Sequence, residues 1–326
     1  LRAVRVVSSR SCCQCFPSNA VAGTVSRDGV FSNLASKTEA FGDFASVVHR
    51  FRLEENHGAL LDGLIICVPT PSHGEYIKVA ARYGLAVFVE KPVATSPNEI
   101  EELFQICEKN KVPLCCSFQR RFDKSYVQAA DAVHLGKIGK AVSAHIFFGD
   151  SPCPPLEFLI TGGNIFFDLS VHDVDFIRWA LHDEIASVYA IATSSNEEML
   201  KNNVQDNATM MMTTTSGSLV TISMNRHSVY GYDQRCEIFG DCGKVTIGNE
   251  FNSTTTVSDC LGEHWPRLKN SYNVRFRDAF SNELNAFADT VLQNDPWPIE
   301  RDDVISVQRV AAAAKRSFET KQIVYL

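Results

Sequence analysis

Three short apolar runs separated by helical patterns constrain this chain more than any other feature. Leu64-Ile65-Ile66-Cys67-Val68 is stopped by Pro69, Ala86-Val87-Phe88-Val89 gives way to Glu90-Lys91-Pro92, and Pro113-Leu114-Cys115-Cys116-Ser117-Phe118 comes third. Continuous apolar runs of this length are how strands buried on both faces read. Between the first two, Ile77, Ala80 and Ala81 recur at helical spacing, with Ser72 as a candidate N-cap and Gly84 as the terminator. Between the second and third, Ser96-Pro97-Asn98-Glu99 supplies an N-cap, a first-turn proline and the glutamate of a capping box, for a helix ending near Asn110. Strand, helix, strand, helix, strand at this spacing predicts a parallel sheet with right-handed crossovers.

After about Arg121 the rhythm changes. A helix is expected from Lys124 to His134, then a strand over Val142–Phe148, the loop Pro152-Cys153-Pro154-Pro155, and a helix ending near Leu181. Strand-like stretches follow at 187–193, 208–215, 218–225, 235–239 and 244–247, with only short connections. That closeness predicts an open, mostly antiparallel sheet, so the second half is of α+β type. Helices over 277–293 and 301–320 finish the chain. The predicted division is 1–122 and 123–326, two domains being the expectation for 326 residues.

Bulk properties exclude several classes. The net charge of −7 argues against a nucleic-acid surface, and no apolar stretch approaches the roughly 18 residues that cross a bilayer. Eleven cysteines, an odd number in apolar surroundings, read as reduced thiols in a cytosol-like compartment. Cys12-Cys13-Gln14-Cys15 lacks a second ligand pair nearby, so no metal site is expected. The first 27 residues carry Arg2, Arg5, Arg10, Arg27 and five serines but no acid, a composition similar to an organellar transit segment. Cytoplasmic residence is the main expectation and organelle targeting the lesser one.

The chemistry sits in two places. Lys91 ends a buried strand, where open α/β sheets put their ligands. Asp168 and His172 lie four apart, on one face of a predicted helix. A lysine after a strand is ordinarily solvated, and an Asp/His pair on a helix is ordinarily a surface pair. Here Phe166, Phe167, Val171, Val174, Phe176 and Trp179 wrap much of the helix in apolar side chains, which predicts that both polar groups sit in a buried cleft and need partners. Lysine, aspartate and histidine together can take the proton from a hydroxyl group. A hydride has to go to a cofactor, because no side chain accepts one. His134 and His182 fall at predicted helix ends and read as structural.

From about Leu60 onward the sequence resembles the glucose–fructose oxidoreductase / inositol dehydrogenase (Gfo/Idh/MocA) family of NAD(P)-dependent sugar and polyol dehydrogenases. The stretches that carry the resemblance are Val68-Pro69-Thr70-Pro71-Ser72-His73, Val89-Glu90-Lys91-Pro92, Phe118-Gln119-Arg120-Arg121-Phe122-Asp123, Gly162 through Asp175, and Val229-Tyr230-Gly231-Tyr232-Asp233-Gln234-Arg235. The Arg-Arg-Phe-Asp, Pro-Pro-Leu-Glu-Phe and Tyr-Gly-Tyr-Asp-Gln-Arg segments look like the inositol 2-dehydrogenase branch. The resemblance implies a Rossmann domain followed by an α/β domain whose open sheet mediates homo-oligomer contacts. It implies Lys91, Asp168 and His172 as the catalytic group, and NAD as cofactor with NADP as the alternative. Pro69, Thr70, His73, Glu90, Lys91, Pro92, Gln119 and Arg120 would lie along that cofactor. Lys91, Arg120, Asp150, Asp168, His172 and Tyr232 would face a polyol or sugar, myo-inositol foremost.

On these residues either His172 or Lys91 can be the proton acceptor: the imidazole by its near-neutral pKa, the amine if it is desolvated. The chain departs from the family at its start. Val4-Arg5-Val6-Val7 runs into Ser8-Ser9-Arg10-Ser11 with no Gly-X-Gly-X-X-Gly turn, and a further strand is expected at 20–26, with Arg27 or Asp28 near the ribose-reading position. That implies either an incomplete amino end or weak cofactor binding. The rival expectations are another sugar or dihydrodiol dehydrogenase of the family, and a non-catalytic relative that senses a ligand.

Overall fold

The computed structural model describes residues 2–8, 60–162 and 164–326. The described residues form two compact units, one reaching to Phe118 and including Ser281–Ile305, the other made of Gln119–Phe280 and Ser306–Leu326. The sequence reading of two uninterrupted halves, 1–122 and 123–326, therefore lacks one feature, a late segment that returns to the first unit. The expected strand at 20–26, the Arg27/Asp28 position, the Cys12–Cys15 cluster and the missing glycine turn all lie outside the described residues.

The first unit is built on a four-stranded parallel sheet in the order β1 (Arg2–Ser8), β2 (Leu60–Cys67), β3 (Ala86–Val89), β4 (Leu114–Cys116). Every residue of β3 is buried, as its unbroken apolar run requires. Helix α1 (His73–Arg82) connects β2 to β3, and α2 (Pro97–Lys109) connects β3 to β4. Gly84 takes φ +68°, with Leu85 N–H donating to Ala80 and Gly84 N–H to Ala81, the paired bonds of a Schellman stop. Ser72 does not cap α1 with its side chain. It closes a 3-10 turn, Thr70–Ser72, through which the chain enters the helix. Ser96 does cap α2, accepting from Glu99 N–H at 3.3 Å, while the Glu99 carboxylate accepts from the Thr95 hydroxyl.

The returning segment supplies the aromatic floor of this unit. Phe287 packs on Phe88 with ring centroids 5.6 Å apart, and Trp297 meets Phe88 edge-on at 6.0 Å. Ile65, Cys67, Ala86 and Cys115 complete the cluster. Trp297 Nε1 donates to the Cys116 carbonyl at 3.3 Å. Gly63 interrupts the apolar run of β2 for the same reason, since a Cβ there would sit 3.1 Å from Phe287 Cζ and 3.3 Å from the Ala86 carbonyl oxygen.

In the second unit the strands are β5 (Ala141–Gly149), β6 (Ile185–Thr193), β7 (Asn207–Thr214), β8 (Leu219–Asn225), β9 (Asp233–Gly240) and β10 (Gly243–Ile247). A hairpin of β11 (Val257–Asp259) and β12 (Gly262–His264) stands apart, and β13 (Val324–Tyr325) completes the main sheet. That seven-stranded sheet has the order β10-β9-β5-β8-β7-β6-β13. Every pairing is antiparallel except β5 with β8, which is parallel. The remaining helices in chain order are α3 (Lys124–His134), α4 (Leu156–Thr161), α5 (Val171–Leu181), α6 (Glu197–Lys201), α7 (Tyr272–Arg275), α8 (Arg277–Gln293), most of which belongs to the first unit, and α9 (Arg301–Thr320), most of which belongs to the second. Alternation along β7 and β8 buries Met210, Met212, Val220 and Ile222 on one face and leaves Met211 and Leu219 exposed on the other.

Among the described residues eight cysteines are free thiols, five of them buried, and burial pushes Cys107 up to about 12. Phe287→Ala should destabilise the protein by about 3–5 kcal/mol, the usual cost of emptying a buried phenylalanine site. Urea unfolding followed by tryptophan fluorescence measures it, and an unchanged midpoint would remove the segment from the core of the first unit.

Candidate active site

The parallel register of the first unit decides which loops become neighbours. Ile66 pairs with Val89, so the chain leaving β2 at Val68-Pro69-Thr70 and the chain leaving β3 at Glu90-Lys91-Pro92 emerge side by side. Pro69 is exposed, and Thr70, Glu90, Lys91 and Pro92 are half-buried. These carboxyl ends of adjacent parallel strands are where a ligand approaches such a sheet. The Lys91–Pro92 peptide is cis.

His73 lies beneath these loops. It is 1% exposed at the start of α1, with Nδ1 3.0 Å from the Pro92 carbonyl and 3.3 Å from that of Val93, and Nε2 2.9 Å from the Val68 carbonyl. The imidazole thus ties the chain after β3 to the end of β2, and its side chain supports the Lys91 loop from below. Burial lowers its pKa below 6.5, outweighing the carbonyl contacts, which favour the charged ring.

In the second unit, strand register again does the assembling. Gly149 of β5 pairs with Asn225 of parallel β8 and with Asp233 of antiparallel β9. The residues beside those three, Asp150, Arg226 and Tyr232, therefore gather at one end of the sheet. Asp150 is buried, and its N–H donates to the Asn225 carbonyl at 2.7 Å. Tyr232 is buried against Phe148 and Phe276, at centroid distances of 5.9 and 6.1 Å. Burial, reinforced by the Asp150 carboxylate, holds its phenol well above the ordinary range, so it stays a neutral hydroxyl.

Asp168 and His172 come from the helical segment that faces this strand end. Asp168 lies not in the α-helix but in a π turn, Phe166–Ser170, that leads into α5. Both residues are half-buried, while Phe166, Leu169, Ser170, Val171, Asp173 and Val174 around them are buried. They are the polar positions this helix leaves open. Arg226 Nη2 donates to Asp168 Oδ2 at 2.8 Å, and the His172 ring lies 6.4 Å from that of Phe148.

Arg120, expected beside cofactor and substrate, is 2% exposed and part of the unit's internal charge network. Its Nη1 donates to Asp173 Oδ1 and its Nη2 to Gln234 Oε1 at 2.7 Å, over the rings of Tyr126 and Phe148. Burial raises the Asp173 carboxyl above its ordinary range, and Arg120, which stays protonated, offsets part of that rise. Beside it, Arg121 grips Asp175 with bonds of 3.2, 3.0 and 2.7 Å. Gln119 is buried as well. The sequence reading missed Arg226, Asp173, Asp175 and Gln234. Two acids on an apolar helix, with two adjacent arginines elsewhere, were a readable signal for the ion pairs. Arg226 had none, because only the parallel β5–β8 pairing brings it to Asp150. Among the described residues no group of three or more His, Cys, Asp or Glu is placed to hold a metal ion, and no helix is long and apolar enough to cross a membrane.

The parallel sheet of the first unit is of the kind that binds nucleotides, and comparison with known proteins gives the class, an oxidoreductase. Residues 21–118 match the oxidoreductase family with an NAD-binding Rossmann fold, and residues 126–246 match the GFO/IDH/MocA C-terminal domain. The chain is 32% identical to a myo-inositol 2-dehydrogenase of Thermotoga maritima, over 82% of this chain and 80% of that protein. It is 33% identical to a scyllo-inositol 2-dehydrogenase (NAD(+)) of Bacillus subtilis, over 82% and 78%. It superposes on scyllo-inositol dehydrogenase from Lactobacillus casei with bound NAD(H) and scyllo-inositol, with TM-score 0.79, 28% identity and coverage of 88% and 84%. The chain belongs to the GFO/IDH/MocA family of oxidoreductases.

Two outcomes are expected from the buried charges. Because folded His73 binds a proton less readily than the unfolded residue at 6.5, its neutral form stabilises the fold above that pH, and stability is lost as pH falls below it. His73→Gln should flatten that acid-side decline in melting temperature, and an identical pH profile would contradict the assignment. Asp173→Asn should cost about 3–5 kcal/mol by stranding the Arg120 charge, as measured by denaturant unfolding. The double change Asp173→Asn with Arg120→Met should recover part of it.

Proposed function

We propose that this protein oxidises a secondary hydroxyl of a cyclic polyol, myo-inositol or its scyllo isomer, with NAD as the hydride acceptor. The observation that carries the reading is the half-open Asp168/His172 pair on an otherwise buried helix, in a chain about a third identical to named inositol dehydrogenases. The first unit would be the dinucleotide-binding domain and the second the substrate-binding and oligomerisation domain.

The residues fit such a cofactor at the carboxyl ends of β2 and β3. Pro69, Thr70, Glu90, Lys91 and Pro92 are accessible there, and His73 braces them from within. NAD, when bound, supplies the hydride acceptor that no side chain provides. His172 takes the hydroxyl proton at neutral pH, and Asp168 fixes its tautomer and stabilises the imidazolium. Lys91 hydrogen-bonds the same oxygen and stabilises the developing alkoxide charge. Asp150 and Tyr232, at the strand end, are the polyol-orienting groups. With their side chains buried, Gln119 and Arg120 would act through the backbone and by shaping the site. A cytoplasmic homo-oligomer is the assembly we propose, using the sheet face that exposes Ile191, Met211 and Leu219.

Titration with NADH and NADPH by nicotinamide fluorescence comes first, followed by a polyol and sugar screen with the tighter cofactor. Micromolar NADH binding and turnover of an inositol are expected. No binding at millimolar cofactor would favour the ligand-sensing alternative, and turnover of a different sugar or diol would redirect the substrate. His172→Ala and Lys91→Ala should each lower kcat by about 10²–10⁴-fold, with modest change in polyol binding. Near wild-type turnover in both variants would overturn the catalytic assignment.

A further inference from the structure

Arg226 is 1% exposed and stands immediately after β8, outside every motif that the family resemblance rests on. Its Nη2 donates to Asp168 Oδ2 at 2.8 Å, and its Nη1 lies 3.5 Å from Asp150 Oδ2, an ion-pair distance. Its backbone N–H donates to the Asp206 carbonyl at 2.9 Å. The other titratable groups of this cluster include His227, whose Nε2 is 3.0 Å from Asp206 Oδ2, Cys153, whose Sγ is 3.7 Å from the same nitrogen, Tyr232, whose phenol feels the Asp150 carboxylate, and His172 one helical turn from Asp168. Nε and Nη1 of Arg226 are both buried without a hydrogen-bond partner, so the contact with Asp150 is electrostatic. Beside the guanidinium lies a cavity of about 130 Å³ that Arg226 lines together with Asn164, Asn202, Asn203 and Gln205.

A guanidinium remains protonated at any working pH, so Arg226 is a fixed positive charge. It sits between two carboxylates carried by different elements, one at the end of β5 and one in the π turn before α5. In its absence buried Asp150 and half-buried Asp168 would be left near one another, and such a pair holds a proton to higher pH. The Nη2 bond also commits one oxygen of Asp168, which narrows the orientations open to the carboxylate. Asp206 keeps its own partners, Ser195 and Asn207, and does not compete for the fork.

We propose that Arg226 is the positioning residue of the Asp168/His172 pair: it keeps Asp168 ionised, fixes its orientation toward the imidazole, and ties it to Asp150. This rests on the reading of Asp168 and His172 as the proton-transfer pair. The function of Arg226 is exerted through Asp168, without contact to the reacting atoms.

The test begins on ligand-free protein with 13C-labelled aspartate carboxyls, the Asp168 signal being assigned by its loss in Asp168→Asn. Arg226→Gln should raise the Asp168 titration midpoint by about 1–3 pH units, the range expected for removal of an adjacent opposite charge. Arg226→Lys, which keeps the charge and loses the fork, should show a smaller rise. With NAD+ and myo-inositol, the acid limb of the kcat profile should move up by the same interval in Arg226→Gln, return most of the way in Arg226→Lys, and leave the KM for NAD+ unchanged. An unmoved Asp168 midpoint in folded Arg226→Gln overturns the proposal. If that variant does not fold, Arg226→Lys decides, and an unmoved midpoint together with an unmoved acid limb overturns it. Full activity in Asp168→Asn would instead sink the catalytic reading, while a raised midpoint in Arg226→Gln would still establish the electrostatic coupling.

Discussion

The parallel pairing of β5 with β8, inside a sheet otherwise antiparallel, is the constraint on which the second unit's chemistry depends. Two adjacent strands running the same way end at the same edge, so the residues that follow them meet. Asp150 and Arg226 are those residues, and antiparallel β9 starts at the same edge just after Tyr232. A carboxylate, a guanidinium and a phenol are thereby fixed to rigid strand ends, which hold geometry better than free loops do. The π turn before α5 then offers Asp168 to that edge. Turns of this kind insert one residue into a helix and re-aim its side chains, which is why they recur at functional sites.

Behind that edge lies a layer of buried ion pairs. Arg120 with Asp173, Arg121 with Asp175 and Arg275 with Asp123 are all withdrawn from water. Pairs of this sort contribute little net stability, because desolvation offsets the Coulomb attraction. Their effect is geometric. Arg120 and Arg121 hold the 119–122 turn against α5, Arg120 also reaches Gln234 of β9, and Arg275 of α7 holds Asp123 at the start of α3, where apolar contacts would tolerate sliding. Phe148 sits among them, with Arg120 over its ring and the rings of His172 and Tyr232 beside it. One buried ring therefore couples the charge layer to the polar groups at the strand end.

The first unit solves a simpler problem by simpler means. Its sheet needs cover, and part of that cover arrives from far along the chain as Phe287 and Trp297. His73 performs the finer task of joining the two loops at the ligand end of β2 and β3. A buried imidazole with carbonyl oxygens at both nitrogens is an uncommon brace, because a neutral ring can donate to only one of them. Burial nonetheless favours the neutral ring.

The sequence by itself determined the elements and the family. Unbroken apolar runs announced β2, β3 and β4, Gly84 announced the end of α1, and the helices over 277–293 and 301–320 were legible from their periodicity, because local propensity and burial pattern act over a few residues. Lys91, Asp168 and His172 were visible as polar residues at places where polarity needs a reason. Only the tertiary structure decided which strands run parallel, and so that Arg226 meets Asp150 and Asp168. It alone decided that His73, Gln119 and Arg120 turn inward, and that Ser281–Ile305 belongs with the first sheet. The physical reason is common to all of these: pairing direction, charge partners and long-range cover depend on residues tens to hundreds of positions apart, and no local pattern encodes them.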